Sequence, residues 1–158
     1  MAKRQVFYSF HYKNDVLRAA QVRNIGAIEG NAPVSSNEWE EIQRKGEAAI
    51  QKWIDDAMQN RSCVIVLVGS ETANRKWVKY EITKAWKDGK GLLGIYIHNI
   101  KCPNTGMCKQ GANPFDSFSV GDKKLSELVK CYNPKSTDAY NDIADNIAAW
   151  IEIAINSR

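Results

Sequence analysis

A continuous run of apolar, mostly β-branched residues, Cys63–Val68, constrains the fold of this chain more than any other segment. A strand with one face in water alternates apolar and polar residues, whereas a strand buried on both faces does not alternate. Strands of about six residues are common, and helices this short are not. The run therefore predicts a central strand of a parallel sheet that is covered by helices on both faces.

The rest of the chain alternates between strand-like and helix-like patterns, as an α/β protein requires. We predict strands at 5–10 and 92–97 and helices at 15–24 and 77–87, with Asp15 as the cap of the first helix. A long helical stretch begins at a capping box formed by Asn37 and Glu40, and Gly46 divides it into two helices. Residues 26–36 form a loop with a poor strand near 27–28, and residues 113–116 form a turn. Segment 125–132 fits a short helix or a final strand, and Ser136 or Thr137 caps the last helix.

Length and composition predict a single domain over residues 1–158. The 22 basic and 18 acidic residues give a net charge of +4, and the two signs are interspersed, so nucleic acid is not an expected partner. No apolar run approaches the roughly 20 residues that a membrane span needs, and residues 1–4 are not an apolar signal segment. We therefore expect a cytoplasmic protein that does not bind a membrane.

The four cysteines do not form a recognisable metal motif. Cys63 opens an apolar run and is expected to be a buried core thiol. His98, Cys102, Cys108 and Cys131 have a spacing that matches no common zinc pattern, so we expect no metal and reduced, unliganded thiols.

Trp77 and Glu81 are four residues apart on the predicted helix, so they share one face. This helix follows the strand Cys63–Val68 and a turn at Gly69 and Ser70. Because ligand crevices of open α/β sheets form outside the carboxyl ends of the strands, the pair places a carboxylate beside an aromatic ring near such a crevice. We predict a functional role for Glu81.

Other polar and aromatic residues are expected at the same edge of the sheet. Ser9, Phe10 and His11 end the first strand, where a hydroxyl can bind a ribose or phosphate and a ring can stack on a base. Ser70, Asn74 and Arg75 precede a helix N-terminus, where backbone N–H groups and a guanidinium can bind phosphate. No Gly-rich dinucleotide fingerprint occurs, which disfavours a redox Rossmann enzyme.

Each of these residues also has an ordinary structural explanation. Glu81 has Lys76, Lys79 and Lys84 nearby in sequence and would then be a solvated helix residue with weak ion pairs. Trp77 and Phe10 would pack at the edge of the core, Ser9 would stabilise a turn, and His11 would be an exposed loop residue.

Three motifs in order resemble the TIR domain, and most closely its bacterial TIR-like branch in Thoeris anti-phage defence. The first is Val-Phe-Tyr-Ser-Phe-His-Tyr at 6–12, the second is the run at 63–70, and the third is Asn-Arg-Lys-Trp-Val-Lys-Tyr-Glu-Ile at 74–82. Asn-Pro-Phe-Asp at 113–116 is a further marker of the branch. The resemblance covers about residues 3–118.

The resemblance implies a flavodoxin-like parallel sheet of about five strands and an NAD⁺ glycohydrolase or cyclase activity, with NAD⁺ as substrate and no separate cofactor. It implies that Glu81 is catalytic, that a phage trigger starts the reaction, and that an effector responds to the product. It also implies a possible homo-oligomer. Residues 26–36 lack a clear second strand and the Pro-containing signalling loop, which puts the ordinary TIR assembly surface in doubt, and residues 37–46 resemble an added helix.

Two other functions remain open from the sequence. A flavodoxin-like adaptor would transmit signals by self-association without catalysis. An enzyme similar to the nucleoside deoxyribosyltransferases would break N-glycosidic bonds of free nucleosides instead of NAD⁺.

Overall fold

A parallel sheet lies at the centre of the molecule, as shown by a computed structural model that describes residues 5–25, 29–30, 41–102 and 106–158. The strands in chain order are β1 (Gln5–Ser9), β2 (Glu29–Gly30), β3 (Cys63–Val68), β4 (Gly91–Tyr96), β5 (Ser119–Val120), β6 (Lys123–Lys124) and β7 (Cys131–Tyr132). In these ranges five strands form one parallel sheet in the order β2-β1-β3-β4-β7, and β5 and β6 form an antiparallel pair. This order is the flavodoxin-like order, which confirms the predicted fold class.

Helices cover both faces of the sheet. They are α1 (Tyr12–Arg23), α2 (Glu47–Met58), α3 (Lys76–Lys87), α4 (Leu125–Leu128) and α5 (Ala139–Asn156). Residues 41–44 are also helical, and Gly46, with a φ of 97°, separates them from α2 as predicted. No helix in the described part of the chain is both long and apolar enough to cross a membrane.

The alternation of side chains along β1 and β3 divides the core into two layers. Val6, Tyr8 and Ile65 lie on the face that α1 and α5 cover, where Ile143, Ile147 and Ile151 of α5 are fully buried. Phe7, Val64 and Val66 lie on the opposite face, which α2 and α3 cover. Because β3 is buried on both faces, it needs apolar residues at every position, which explains the run that the sequence shows.

The predicted start of the first helix was wrong. We expected Asp15 to cap this helix, but α1 begins at Tyr12 with His11 as its N-cap residue, and Asp15 lies buried in the first turn. Of the residues expected to face inward, Val22 is buried, Val16 and Ala20 are half-buried and Leu17 is exposed, while Ala19 is buried as well. Asp15 and Arg18 occupy buried positions that the apolar pattern could not indicate, because charged side chains are buried only when they are paired.

The structure also locates the start of α5, the elements of segment 125–132 and the second strand. Asp138, and neither Ser136 nor Thr137, is the N-cap residue of α5. Segment 125–132 contains both of its alternatives, first α4 and then β7. The second strand, β2, is Glu29–Gly30 and follows directly after the predicted residues 27–28. Residues 27–28 and the predicted capping box of Asn37 and Glu40 lie outside the described residues.

The turn at 113–116 is a 3-10 helix, Pro114–Ser117, whose aromatic residue completes the sheet face. The Asn113 side chain accepts a hydrogen bond from the Phe115 N–H at 2.9 Å and fixes the start of the turn. Phe115 is fully buried against Gly94, where a β-carbon would lie 3.0 Å from the Phe115 ring and 2.7 Å from Cys131 Sγ. Gly94 therefore leaves room for side chains that come from other elements.

Candidate active site at the carboxyl edge of the sheet

The ends of β1, β3 and β4 form the edge where the site was predicted. Ser9 is the last residue of β1 and pairs in register with Val66 of β3, while Val68 pairs with Tyr96 at the end of β4. In the order β2-β1-β3-β4-β7 the connections leave β1 and β3 in opposite directions, so the crevice of such a sheet opens between these two strands.

Glu81 reaches this edge from α3. Val78, Ile82 and Ala85 of α3 pack on the sheet, and Glu81 shares their face and is only 6% exposed. Ser9 points to the same side of β1 as Phe7, and its Oγ donates a hydrogen bond of 3.0 Å to Glu81 Oε1. The structure thus brings together two predicted site residues that are 72 positions apart in the chain.

Burial dominates the electrostatics of Glu81. Loss of hydration raises the pKa of this carboxyl group to about 8, and the Ser9 hydrogen bond opposes that shift. The group is therefore mostly protonated at neutral pH when the site is empty, and a nearby positive charge would ionise it. A carboxyl group that titrates near neutrality in a crevice is typical of catalytic sites.

Two of the three lysines that suggested a surface role for Glu81, Lys76 and Lys84, have other partners. Lys76 forms an ion pair with Glu47 of α2. Lys84 lies 3.2 Å from Asp88 and 3.9 Å from Asp55. Because Glu81 is also only 6% exposed, its interpretation as a solvated helix residue is wrong.

The other predicted site residues differ in exposure. Ser70, Asn74 and Arg75 are exposed in the segment between β3 and α3, and Arg75 lies 3.4 Å from Glu71. Trp77 is half-buried and packs edge-to-face against Tyr80 at 5.6 Å. The substrate-binding roles expected for these residues remain predictions.

Phe10 and His11 follow Ser9 at the end of β1, and both are half-buried. Phe10 packs against the core on the α1 and α5 side, which is the side of the sheet opposite to Glu81. His11 is the N-cap residue of α1. The structure therefore does not place Phe10 on the same face of the sheet as Glu81.

Three polar residues at this edge are buried, which the sequence did not predict. Thr72 is fully buried, and its Oγ1 accepts a hydrogen bond of 2.8 Å from the Gly69 N–H, which closes the turn after β3. Asp15 and Arg18 form a buried ion pair within α1. The spacing of three residues between opposite charges was the available signal for this pair.

The cysteines are free thiols, of which Cys63 and Cys102 are buried and Cys108 and Cys131 are half-buried. Cys63 is fully buried as expected, and burial raises the pKa of its thiol to about 12. Cys131 lies beside Tyr96, and burial likewise raises the pKa of its thiol to about 12. Among the described residues, no three His, Cys, Asp or Glu side chains lie together in a way that could hold a metal ion.

The sheet order and the buried carboxyl group define a flavodoxin-like α/β protein with Glu81 near the topological switch point of its sheet. The family model described as the TIR-like domain of Thoeris protein ThsB matches residues 7–101. A Bacillus cereus (strain MSX-D12) protein named "Putative cyclic ADP-D-ribose synthase ThsB1" is 36% identical over 152 residues, which cover 91% of this chain and 78% of that protein. The chain belongs to the ThsB TIR-like family of Thoeris proteins, which confirms the resemblance found in its motifs.

Proposed function

We propose that this chain is an NAD⁺-processing enzyme that cleaves the bond between nicotinamide and ribose and produces a cyclic, ADP-ribose-derived signal in anti-phage defence. The observation that carries the proposal is the buried Glu81 carboxyl group beside Ser9 at the carboxyl edge of the sheet. Membership of the ThsB family and the name of the Bacillus cereus relative support the same reaction class.

A single carboxylate suits this bond cleavage. The electron pair of the glycosidic bond moves to the nicotinamide nitrogen, so nicotinamide leaves as a neutral base and requires no strong general acid. The ribose becomes an oxocarbenium-like cation, which a nearby carboxylate stabilises as in glycoside hydrolysis. Glu81 would supply this negative charge.

The raised pKa of Glu81 fits a cationic substrate. In the empty site the carboxyl group is mostly neutral, because burial raises its pKa to about 8. The nicotinamide ring of NAD⁺ carries a positive charge, and an opposite charge within about 4–6 Å favours ionisation of the carboxyl group. Substrate binding would therefore generate the ionised form that the cleavage step uses.

The burial of the site favours a cyclic product. After nicotinamide has left, the ribose carbon can bond to a nucleophilic atom of the same ADP-ribose, which releases a proton and closes a ring. Water at the same carbon would give the linear product instead. The low exposure of Glu81 and Ser9 supports this proposal, because a buried site admits less water.

The remaining partners follow from this reaction. We propose that Ser70, Asn74 and Arg75 contact the phosphates or riboses of NAD⁺ from the segment after β3, and that Trp77, Phe10 and His11 border the substrate. A phage component would trigger turnover, a separate effector would respond to the product, and a homo-oligomer could complete the site.

Metabolite mass spectrometry tests the proposal in cells that express wild type, Glu81→Gln or Glu41→Gln, before and after phage infection. Glu41→Gln is the matched control, because it makes the same chemical change at an exposed helical position. We expect an ADP-ribose-derived species with wild type and Glu41→Gln, and at least 100-fold less with Glu81→Gln.

Equal product levels with all three chains, at equal expression, would contradict a catalytic role for Glu81. Self-association without NAD⁺ turnover would instead indicate the adaptor. Turnover of free nucleosides with NAD⁺ untouched would indicate the relative of nucleoside deoxyribosyltransferases.

A further inference from the structure

Arg18 connects α1 to the segment that follows β4. This side chain is only 3% exposed, and all three of its nitrogens donate hydrogen bonds. Nη1 donates to Asp15 Oδ1 at 3.0 Å, Nε to the Ile100 carbonyl at 2.9 Å and Nη2 to the Gly106 carbonyl at 2.7 Å. The Gly106 carbonyl also accepts from the Cys102 N–H at 2.9 Å, so Arg18 holds both sides of this turn.

Asp15 connects the same helix to the turn after β3. Its carboxylate lies directly against Gly69, where a β-carbon would be 2.2 Å from Asp15 Oδ2. On the other side, a β-carbon at Gly111 would be 2.1 Å from the Gly69 carbonyl oxygen and 3.0 Å from that of Ser70. The turn that carries Ser70 is therefore enclosed between α1 and residues that follow β4.

The chemistry of the Asp15–Arg18 pair favours a single arrangement of the elements that it contacts. A buried cation destabilises a protein unless its donors are satisfied, and the planar fork of arginine fixes the directions in which they point. Lysine has one nitrogen and cannot reach the carboxylate and two separate carbonyls with the same geometry. The Asp15–Arg18 pair therefore fixes the relative positions of α1, the turn at 69–70 and the segment near 106–111.

We propose that the Asp15–Arg18 pair is a positioning device for the crevice, which sets substrate affinity by holding the turn at Gly69 and Ser70 and the segment at 106–111 in place. The part of this proposal that concerns substrate rests on the proposed function. Neither residue contacts the reacting atoms, so the effect on binding should exceed the effect on the chemical step.

Arg61 offers a matched control at the opposite, amino edge of the sheet. Its Nε donates to the Ala57 carbonyl and its Nη1 to the Val6 carbonyl, both at 3.3 Å. Arg61→Lys removes the same kind of guanidinium contact as Arg18→Lys, but it does so away from the crevice. Arg61→Lys therefore controls for the loss of a guanidinium contact to backbone carbonyls outside the crevice.

Hydrogen exchange tests the positioning without any assumption about the reaction. In Arg18→Lys we expect at least tenfold faster exchange at residues 69–75 and at the Gly106 and Cys108 amides, with wild-type exchange there in Arg61→Lys. Asp15→Asn, which keeps the size of the side chain, is the second variant if Arg18→Lys does not fold. Wild-type exchange at these amides in the folded variant would overturn the proposal.

Steady-state kinetics with NAD⁺ tests the consequence, using protein purified from phage-infected cells. We expect Arg18→Lys to raise KM at least tenfold and to change kcat less than threefold, while Arg61→Lys keeps the wild-type KM. An unchanged KM in Arg18→Lys would overturn the role in affinity. Absence of NAD⁺ turnover in wild type would contradict the proposed function instead, and the exchange result would then decide the positioning.

A double-mutant cycle with Gly111→Ala gives an independent check. This substitution displaces residues near 111 from the turn at 69–70 without touching Arg18. If both changes release the same turn, the fold-increase in KM of the double variant will be well below the product of the two single increases. A fully multiplicative result would contradict a shared effect on this turn.

Discussion

Glu81 and Asp15 are two buried carboxyl groups near the same edge of the sheet, and they differ in the charge of their hydrogen-bond donor. Glu81 has the neutral Ser9 hydroxyl group as its hydrogen-bond donor, whereas Asp15 has the Arg18 guanidinium. Burial raises the pKa of both groups, but at Asp15 the charge and hydrogen bond of Arg18 act against it.

The difference separates a carboxylate that is paired with a buried cation from a carboxyl group that has only a neutral hydrogen-bond donor. A carboxylate beside a buried cation belongs to a charge network that loses stability when either partner is removed. A carboxyl group beside a hydroxyl can change its charge when a cationic ligand arrives, without leaving a buried charge behind. The partner of each carboxyl group thus matters more than its depth.

The largest expected contrast is in stability. Asp15→Ala leaves the Arg18 cation buried without its carboxylate, so we expect the free energy of unfolding to fall by about 3–5 kcal/mol. Glu81→Gln replaces a mostly neutral acid by an amide that never ionises, so at pH 6 it should leave the free energy of unfolding unchanged or raise it by up to about 2 kcal/mol. Urea denaturation of both variants measures the difference, and equal losses would remove the distinction between the two sites.

Ionisation of Glu81 should make the stability of the protein depend on pH. Its pKa is about 8 in the folded protein and 4.5 in the unfolded chain, so the folded state holds more protons between these values. Stability is therefore expected to fall as pH rises from about 5 to 8, by up to about 1.4 kcal/mol per pH unit. Denaturation of wild type and Glu81→Gln across this range measures it, and the slope should decrease in Glu81→Gln. Parallel curves would show that Glu81 is ionised in the folded protein.

Ser9→Ala should have a smaller effect than Glu81→Gln. It removes a buried hydrogen bond worth about 1 kcal/mol and raises the pKa of Glu81 further, because the hydroxyl group stabilises the carboxylate. We expect the rising limb of the kcat/KM pH profile with NAD⁺ to move to higher pH. Ser62→Ala, which removes a hydroxyl bonded to the Gln5 carbonyl at the amino edge, is the control and should leave the profile unchanged.

The smallest effect is expected at the exposed ion pairs of α3. Lys84 and Asp88 lie 3.2 Å apart with side chains that are 28% and 42% exposed. Asp88→Asn should therefore change the free energy of unfolding by less than about 1 kcal/mol and leave NAD⁺ turnover unchanged. Thermal denaturation at low and high salt checks this, and a loss as large as that of Asp15→Ala would contradict the comparison.

Elements with strong local signals were predicted well from the sequence. The short, continuous apolar run of β3 is typical of a buried strand, and its predicted bounds, Cys63–Val68, are correct. The predicted end of α3 at Lys87 is also correct, because Gly89 adopts a φ of 70° that favours glycine.

The depth of the charged residues could not be predicted from the sequence. In the sequence Asp15 resembles a helix cap, but the folded protein buries it against Gly69 and Arg18. Arg18 in turn donates to the Ile100 and Gly106 carbonyls, which are far away in the chain. The lysines near Glu81 suggested a surface position, although Lys76 and Lys84 bond to residues other than Glu81. Motif resemblance located Glu81, but only the packing of α3 on the sheet shows that it is buried.

The contacts of Arg18 have a consequence for the order of events during synthesis. Its two backbone partners lie 82 and 88 residues further along the chain, so neither contact can form until that much of the protein has left the ribosome. Contacts of such long sequence separation also form late in folding, because loop closure opposes them. A nascent or truncated chain that contains β1 and α1 therefore lacks the contacts of Arg18 with Ile100 and Gly106. A fragment that ends before residue 100 is expected not to turn over NAD⁺.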